Sequence, residues 1–500
     1  MPTLNASSLP VPLGEAGYAI RTPGWRGQAR LERAPDAATR ARSRGADDGT
    51  ADLDAAFAAT GIAELRRIQL ELAPAAPGVA GSLRGRAGEA AVELEVPDLG
   101  ADVGQLVLAS DEQGALTWHV PLDDTLAPQP PTTRGAGGVK RFRLPAAPAV
   151  PATGAPGAQR SLLGALGRKL LKVLVYPVTD PIVGAIGRGF AAAWEARHHP
   201  PLIRRFTPAN RREPRAGAFT AADWSAMEAG RALLFVHGTF SSAHGAFDAL
   251  PDAVFDTLYQ RYGARLFAYD HPYLATDPVA NARWFFAQVP ADANLEVDIV
   301  CHSRGGLVSR LLAEPPRTGW RVRRLVFVAV PNQGTPLAEP NHMMAMIDRL
   351  TTALNLFPTG PVVETLEALI TAVKVVGHGV LDGLPGLAAM KPGGPLLQTL
   401  NAGGSPDDSY RAVAVDFRPA GGGLASVIGQ RVADRVMDLV FEDRPNDLVV
   451  PEAGVWSANG HAGFPIAPAH VLRVPAEAGV IHTTVFGHAP VGAALLDWLA

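Results

Sequence analysis

The sequence predicts two architectures in one chain: a small all-β domain first, and then an α/β fold with a mostly parallel, doubly wound sheet. Two observations carry this prediction. Between residues 61 and 145, short segments alternate apolar and polar residues, as half-buried strands do. From about residue 215 onward, apolar runs alternate with helical patterns, which favours parallel strands joined by helices.

The composition is that of a globular chain: 500 residues, 47% hydrophobic and 19% charged, with a formal net charge of -3. This length suits two or three domains, and the charge balance gives no reason to expect a nucleic-acid partner. The single cysteine, Cys301, excludes an intramolecular disulfide. The N-terminus lacks the features of a signal peptide, and no stretch approaches the roughly 20 apolar residues that span a bilayer. We therefore expect a cytoplasmic protein, with at most a peripheral membrane contact.

The predicted all-β domain covers residues 61–145 and is expected to be a sandwich, because short strands alternate with turn signals. Its predicted strands are Arg67–Leu72, Ala91–Val96, Gln105–Ala109, Leu116–Val120 and Lys140–Leu144. Residues 1–60 are polar and weakly patterned, and we expect them to be loosely ordered. No catalytic constellation stands out in this part of the chain, so its expected role is packing or binding.

Two segments connect the predicted domains. Residues 146–160 are rich in Pro, Ala and Gly and predict a semi-stiff linker. Residues 161–214 predict amphipathic helices. Within 161–176, leucines such as Leu162 and Leu166 share one helical stripe while basic residues gather elsewhere. Such a helix either packs on the following domain, which is the commoner use, or lies on an anionic membrane surface.

The segment Val297–Gly306 predicts a strand, a tight turn and the start of a helix, with Ser303 at the bend. It resembles the nucleophile elbow of the α/β-hydrolases, whose motif is G-x-S-x-G. Cys301 stands at the first glycine position, His302 precedes the serine and Gly305 takes the second glycine position. Both neighbours must be small because the turn is crowded. The alternative is an ordinary helix with a serine as its N-cap.

A second motif precedes the elbow. The apolar run Ala232–Val236 predicts a buried strand that ends in His237 and Gly238. In the α/β-hydrolases, the loop after an early strand gives one backbone N–H to the oxyanion hole, and the residue after the nucleophile gives the other. Gly238 would let this backbone approach the substrate closely. The resemblance implies that the donors are the backbone N–H groups of Thr239 or Phe240 and of Arg304.

A catalytic serine needs a base to accept its proton, and the base needs a carboxylate that fixes its tautomer. In the α/β-hydrolases these residues follow in the order Ser, Asp or Glu, His. Asp447 lies in the string Asn446–Pro451, which is similar to the Asp-Gly-x-Val-Pro acid loop of bacterial lipases, although Leu448 replaces the glycine. The rival acids are Asp443 and Asp416, the latter directly after a predicted strand.

The candidate base is His482, which follows the last predicted strand, His470–Val474, and precedes the predicted terminal helix, Pro490–Leu499. His488 is the rival. The chain has 13 histidines, so position rather than residue type carries this choice. The histidines show no zinc-type spacing, and the resemblance implies neither a metal nor an organic cofactor.

Together these stretches resemble the lipase-like branch of the α/β-hydrolases, with bacterial lipases and lecithin–cholesterol acyltransferase-like proteins. The resemblance covers about residues 225–500 and includes Val330–Leu337, where Pro-x-x-Gly-Thr-Pro-Leu follows a strand, and Leu387–Asn401. It implies a serine hydrolase that cleaves carboxylic esters, with an apolar or lipid-like acyl group, through an acyl-enzyme on Ser303. Acyltransferases and amidases share the same residues. The alternative from another class is a non-catalytic binding or scaffold protein at a membrane surface.

An insertion at about residues 338–401 is the predicted cap. Its first half is rich in Met and Leu, and apolar residues recur at helical spacing between Val362 and Val376. A cap here would overhang the elbow and supply a pliable apolar wall, which predicts a preference for medium-to-long acyl chains. The alternative is that these apolar faces pack on each other and on the sheet.

Overall fold

The structure is a computed structural model. It describes residues 1–34, 56–57, 60–75, 91–100, 102–111, 116–122, 138–145, 168–177, 185–339, 342, 344, 347–348, 362–377, 384–404, 408–417, 441 and 444–500. The chain divides into two compact units, Met1–Val183 with Val373–Val380, and Gly184–Ala372 with Leu381–Ala500. None of the described helices combines the length and the apolar character that crossing a membrane requires.

The first unit is built from antiparallel strands. These are β1 (Thr3–Asn5), β2 (Val11–Pro12), β3 (Ala19–Arg21), β4 (Trp25–Arg33), β5 (Ala63–Pro74), β6 (Ala91–Pro97), β7 (Val103–Asp111), β8 (Leu116–His119), β9 (Val139–Pro145) and β10 (Arg168–Pro177). They form a six-stranded sheet, β1-β4-β5-β10-β7-β8, and a four-stranded sheet, β2-β3-β6-β9. In β6, the alternating residues Val92, Leu94 and Val96 are buried in the core of this unit. The predicted N-terminal all-β fold is confirmed.

The expectation that residues 1–60 are loosely ordered is wrong for the described residues 1–34, which contain β1 to β4. Isolated large side chains in this segment, among them Leu4, Ile20 and Trp25, are buried in the core of the first unit. They are spaced too widely to show a period, which is why no strand was predicted in this segment. The predicted linker at residues 146–160 lies outside the described residues.

The amphipathic helix predicted at residues 161–176 is wrong where the structure describes it, because β10 is a strand. It pairs with β5 on one side and β7 on the other. Leu171, Val173 and Leu174 are fully buried. A central strand covered on both faces carries a nearly continuous apolar run, which periodicity alone does not distinguish from a buried helix. The membrane-surface interpretation of this segment therefore loses the helix on which it depended.

The second unit contains a mixed sheet and its helices. The strands are β11 (Leu202–Arg205), β12 (Ala232–Val236), β13 (Leu266–Asp270), β14 (Leu295–His302), β15 (Trp320–Val328), β16 (Tyr410–Val415) and β17 (Val471–Val474). The α-helices are α1 (Ala185–His198), α2 (Ala221–Met227), α3 (Ala243–Ala246), α4 (Asp252–Tyr262), α5 (Pro278–Gln288), α6 (Gly305–Ala313), α7 (Val362–Gly377), α8 (Pro385–Ala388), α9 (Pro395–Asn401), α10 (Ala453–Trp456) and α11 (Ala489–Trp498). The residues of α7 from Val373 onward are counted with the first unit. Short 3-10 helices are Gly263–Arg265, Pro336–Ala338, Pro468–His470, Ala476–Ala478 and Val485–Gly487.

The seven-stranded sheet has the order β11-β13-β12-β14-β15-β16-β17. Only β11 in this described sheet runs antiparallel to its neighbour; the remaining pairs are parallel. This is the arrangement of an α/β-hydrolase sheet, so the predicted fold class is confirmed. The unit starts before the boundary predicted at residue 215, because β11 already forms the edge of the sheet. Its four residues were too few to reveal a strand in the sequence.

The sheet brings two loops to the same edge. Strands β12 and β14 are parallel neighbours, with Val236 opposite Cys301 in the register. The loop after β12 and the turn after β14 therefore leave the sheet side by side, at the carboxyl ends where α/β sheets place their sites. Every residue of β12 and β13 is buried, which explains their uninterrupted apolar runs.

Little of the predicted cap at residues 338–401 can be compared with the structure, because much of its first half lies outside the described residues. The described part contains α7, α8 and α9. Along α7, Leu366, Leu369 and Ile370 are fully buried. These three side chains therefore fill a packed interior, as the packing alternative predicts for them.

Candidate active site

The turn between β14 and α6 has a conformation that few side chains adopt. Ser303 has φ +53°, in the left-handed region that costs a non-glycine residue energy. Its N–H donates to the Val328 carbonyl at 3.0 Å, and its own carbonyl accepts from the Gly306 N–H at 2.9 Å. The strained serine is thus fixed between the sheet and the first turn of α6.

Two glycines make this turn possible by leaving no side chain where backbones meet. A Cβ at Gly238 would lie 2.6 Å from the Cβ of Ser303, and a Cβ at Gly305 would lie 2.2 Å from the His237 carbonyl oxygen. Cys301 fits because it is small and fully buried, with its thiol 3.3 Å from the Val326 carbonyl. Burial raises the pKa of this thiol to about 12, so it stays protonated at neutral pH.

The loop after β12 faces the elbow with backbone donors. Phe240, like the serine, has a positive φ, +53°. Across the described residues, no protein carbonyl or side chain accepts from three backbone N–H groups at this place, those of Thr239, Phe240 and Arg304. Donors without an internal acceptor, at a helix N-terminus and in the loop beside it, are available to an anionic oxygen.

Asp447 and His482 are hydrogen-bonded to each other. The Nδ1 of His482 lies 2.7 Å from the Asp447 Oδ2, and both residues are buried. The other carboxylate oxygen, Oδ1, accepts from the N–H groups of Val449 at 2.9 Å and Val450 at 2.6 Å. Because a carboxylate only accepts, Nδ1 carries a proton, and in the neutral ring Nε2 is left as an acceptor.

His302 connects the elbow to this pair. Its Nε2 donates to the backbone carbonyl of His482 at 3.1 Å, and the two ring centroids are 4.7 Å apart. Burial holds the pKa of His302 well below its usual value, so the ring is neutral. The structure therefore gathers Asp447 and His482 next to the residue that precedes Ser303.

The rival residues occupy other places. Asp416 directly follows β16, and its N–H donates to the Val474 carbonyl at 3.0 Å. His488 is half-buried and directly precedes α11. The imidazole of His482 is bonded to Asp447, and Asp443 lies outside the described residues. Of the rivals that the structure describes, none is brought into the hydrogen-bonded pair.

The side chain of Arg304 is a feature that the sequence did not reveal. It is fully buried behind the elbow, and burial lowers its pKa to about 10. Its Nε donates to the Gly386 carbonyl at 2.7 Å, while Nη2 donates to the Thr276 carbonyl at 2.6 Å and to Asn281 Oδ1 at 3.1 Å. The guanidinium thus holds the loop after β13 and the start of α8.

Glu195 on α1 holds the same loop from its amide side. Its carboxylate accepts the N–H groups of three consecutive residues: Tyr273, Leu274 at 2.5 Å and Ala275 at 2.9 Å. Burial raises the pKa of this carboxyl, whereas the three N–H groups oppose that rise. The ring of Tyr273 packs edge-on against Phe240, 5.8 Å between centroids. No motif marked Glu195, which looks like any helical glutamate in the sequence.

Two buried histidines stack beneath the loop after β12. The rings of His237 and His271 are 4.2 Å apart and nearly parallel, at 9°. The Nε2 of His237 accepts from the His271 N–H at 3.0 Å, and the Nε2 of His271 donates to the His237 carbonyl at 2.9 Å. Burial lowers the pKa of His237 to about 3 and that of His271 well below its usual value, so both rings are neutral.

Metal ligands are not grouped in this way: within the described ranges, no set of three or more His, Cys, Asp or Glu side chains is placed to hold an ion. A separate surface cavity of about 410 Å³ is lined by Gln333, Gly393, Leu397, Gln398, Asn401 and Asn459. It contains none of the residues gathered around Ser303.

Comparison with solved structures finds similar chains among bacterial lipases and phospholipases. Phospholipase PlaB from Legionella pneumophila is 14% identical, with a TM-score of 0.30, and the match covers 45% of each chain. Lipase 1 from Pelosinus fermentans is 12% identical with a TM-score of 0.35, covering 54% of this chain and 96% of that one. The mature Bacillus licheniformis lipase BlEst2 is 18% identical with a TM-score of 0.27, covering 53% and 91%. The match thus spans less than half of the Legionella phospholipase.

No curated protein matches the chain. Residues 198–500, more than half of the sequence, match a protein family described as a domain of unknown function, DUF7379. These residues include the sheet from β11 to β17, the elbow, the acid loop and the terminal helix. The chain therefore belongs to the DUF7379 family.

Proposed function

We propose that the protein is a serine hydrolase that cleaves carboxylic esters through an acyl-enzyme on Ser303. The observation that carries this proposal is the buried hydrogen bond of 2.7 Å between His482 and Asp447 beside a strained serine turn. Such a pair fixes the imidazole tautomer with Nε2 as the acceptor, which is the form that a serine needs as its base. The order of the three residues in the chain is that of the α/β-hydrolases.

The proposed reaction begins when the Ser303 hydroxyl attacks the ester carbonyl while His482 Nε2 takes its proton. Asp447 stabilises the imidazolium that forms. The negative charge on the carbonyl oxygen is held by the backbone N–H groups of Arg304 and of Thr239 or Phe240, which is commonly the largest electrostatic contribution. His482 then returns the proton to the leaving alcohol. Water, deprotonated by the same histidine, releases the acyl group.

The decisive test is the variant Ser303→Ala. We expect it to lose p-nitrophenyl ester hydrolysis by several orders of magnitude while it still folds, because the nucleophile is gone. A fluorophosphonate probe should label the wild type and fail to label this variant. The matched control is Ser225→Ala, on the exposed side of α2, which should be labelled normally. Near-wild-type turnover by pure Ser303→Ala would reject the proposal.

The acceptor of the acyl group decides between a hydrolase and an acyltransferase, and the leaving group decides between an esterase and an amidase. We propose water as the acceptor and an alcohol as the leaving group. Turnover in the presence of a long-chain alcohol should give mainly the free acid, and the matching anilide should react far more slowly. Dominant transfer to the alcohol would identify an acyltransferase that uses the same residues.

We further propose that the acyl group is apolar. The support is Met390, which is buried and lies against the loop after β12 that carries the proposed oxyanion donors, with its sulfur 4.0 Å from the Thr239 hydroxyl. Methionine is pliable and suits apolar ligands of varying shape. The kcat/KM values for acetyl, octanoyl and palmitoyl esters should rise from the first to the second. A steady decline from acetyl onward would point to a small, polar ester instead.

A further inference from the structure

Thr335 stands in the Pro-x-x-Gly-Thr-Pro-Leu segment after β15, far in the sequence from the acid loop. It is fully buried. Its hydroxyl donates to the backbone carbonyl of Val449 at 2.5 Å and accepts from the Leu337 N–H at 3.3 Å. We propose that Thr335 is a positioning residue for the catalytic carboxylate of Asp447. This inference rests on the proposed function.

The path from the hydroxyl to the carboxylate is short. Thr335 fixes the carbonyl of Val449, and the N–H of the same residue donates to Asp447 Oδ1 at 2.9 Å. The N–H of Val450 donates to the same oxygen at 2.6 Å. The opposite oxygen holds His482. The orientation of Val449 therefore sets the direction in which Asp447 presents its carboxylate to the imidazole.

The acid loop needs an external support because it contains a strained residue. Leu448, between Asp447 and Val449, has φ +80°, where a leucine is unfavourable. Relaxation of this residue would rotate the adjoining peptide groups and, with them, the N–H groups that hold the carboxylate. The hydrogen bond from the buried Thr335 hydroxyl to the Val449 carbonyl opposes this rotation, because rotation of the peptide group would break that buried bond.

The support is itself anchored on the oxyanion side of the site. The N–H of Thr335 donates to the Met390 carbonyl at 2.9 Å, and the sulfur of Met390 lies beside the Thr239 hydroxyl. Two residues earlier, the Gln333 N–H donates to the Gly454 carbonyl at 3.3 Å. The segment that carries Thr335 is thus hydrogen-bonded to one residue that precedes the acid loop in the sequence, Met390, and to one that follows it, Gly454.

The test compares Thr335→Val, which keeps the shape and removes the hydroxyl, with Thr335→Ser, which keeps the hydroxyl. We expect Thr335→Val to lower kcat by about 10- to 100-fold with little change in KM, because supporting hydrogen bonds behind a catalytic group typically contribute this much. Thr335→Ser should stay within about threefold of the wild type. Thr335→Cys keeps the size with a weaker donor and should fall between them.

Coupling to Asp447 separates positioning from a general structural role. In an Asp447→Asn background, Thr335→Val should cause little further loss, because the group on which it acts is already gone. An equal loss in both backgrounds, or equal losses for Thr335→Val and Thr335→Ser, would overturn the proposal. If Thr335→Val does not fold, the same cycle is run with Thr335→Cys. Activity surviving in Ser303→Ala would reject the proposed function itself, which is a different outcome.

Discussion

The elbow around Ser303 and the acid loop around Asp447 belong to one candidate site, but they are held in different ways. The elbow is held by main-chain hydrogen bonds of Ser303 to Val328 and Gly306, in a space where an added Cβ at Gly238 or Gly305 would lie within 2.6 Å of a neighbouring atom. The acid loop is held by hydrogen bonds between side chains and backbone, which involve the Asp447 carboxylate and the Thr335 hydroxyl.

Each region contains a residue at positive φ that is not glycine: Ser303 at +53° and Leu448 at +80°. In the elbow, main-chain hydrogen bonds hold the serine, and the glycines beside it leave no space for an added side chain. In the acid loop, specific bonds oppose relaxation. The two regions should therefore fail in opposite ways, the elbow when a small group is added and the acid loop when a polar group is removed.

The largest effect should come from removing the polar groups of the acid and the base. We expect Asp447→Asn and His482→Ala to lower kcat on a p-nitrophenyl ester by about 10⁴-fold, because the serine loses a correctly oriented base. Asp416→Asn and His488→Ala are the matched controls and should stay within about threefold, since neither belongs to the bonded pair. Asp443→Asn is the third control, and it too should be far less damaging than Asp447→Asn. Loss of activity in Asp416→Asn would make Asp416 the catalytic acid, and loss of activity in His488→Ala would make His488 the base. In either case the proposed type of reaction would stand.

A smaller but still large effect should follow when one methyl group is added to the elbow. In Gly238→Ala, the new Cβ meets the Cβ of Ser303, so we expect kcat to fall by about 100-fold through displacement of the serine. Steady-state kinetics and the fluorophosphonate labelling rate measure this loss.

The control for the elbow variant is Gly189→Ala, on an exposed position of α1 where an added Cβ meets nothing. It should keep full activity and gain up to about 1 kcal/mol of stability, as glycine to alanine does within helices. Wild-type kinetics in Gly238→Ala would show that the backbones at Gly238 and Ser303 can move apart enough to accommodate a methyl group.

The smallest of these effects is a loss of folding stability at acidic pH. His237 has a folded-state pKa of about 3, below the usual 6.5, because it is buried. Between pH 6.5 and pH 3, His237 is therefore protonated in the unfolded chain but stays neutral in the folded chain. The free energy of unfolding falls as the pH is lowered through this range. For this group alone, the loss between pH 7 and pH 5 is about 2 kcal/mol.

Thermal unfolding at the two pH values measures that loss. His237→Gln keeps an amide oxygen as a possible acceptor for the His271 N–H and cannot be protonated, so its melting temperature should depend less on pH than that of the wild type. Identical pH dependence of the melting temperature in the two proteins would mean that the pKa of His237 is not lowered by folding.

The same contrast explains what the sequence could predict. The turn needs small residues at fixed spacing, so the strand, turn and helix around Ser303 and Gly305 were predicted from the sequence, whereas Gly238 was predicted only to let its own loop approach the substrate. The apolar runs of β12 and β13 likewise predicted buried parallel strands. The choice of Asp447 and His482 for the triad came from chain order and position, and their catalytic roles stay a prediction.

Hydrogen bonds across long sequence separations leave no such signal. The bond from Thr335 to Val449 joins residues 114 positions apart, and Glu195 is 78 positions from Tyr273. Neither threonine nor glutamate is unusual where it stands in the sequence. The strand β10 was missed for another reason: its apolar residues satisfy a helical stripe as well as a strand buried on both faces.

Glu195 has a consequence for how the boundary of this family is drawn. The residues that match the family begin at 198, whereas the carboxylate that accepts from three consecutive backbone N–H groups in the loop after β13 lies on α1, just upstream. A fragment trimmed to the matching residues would leave those buried amides without their acceptor. The structural unit that supports the site therefore begins with α1 and not at residue 198. A relative that has the elbow but lacks a carboxylate at the position of Glu195 must hold the loop after β13 by other contacts.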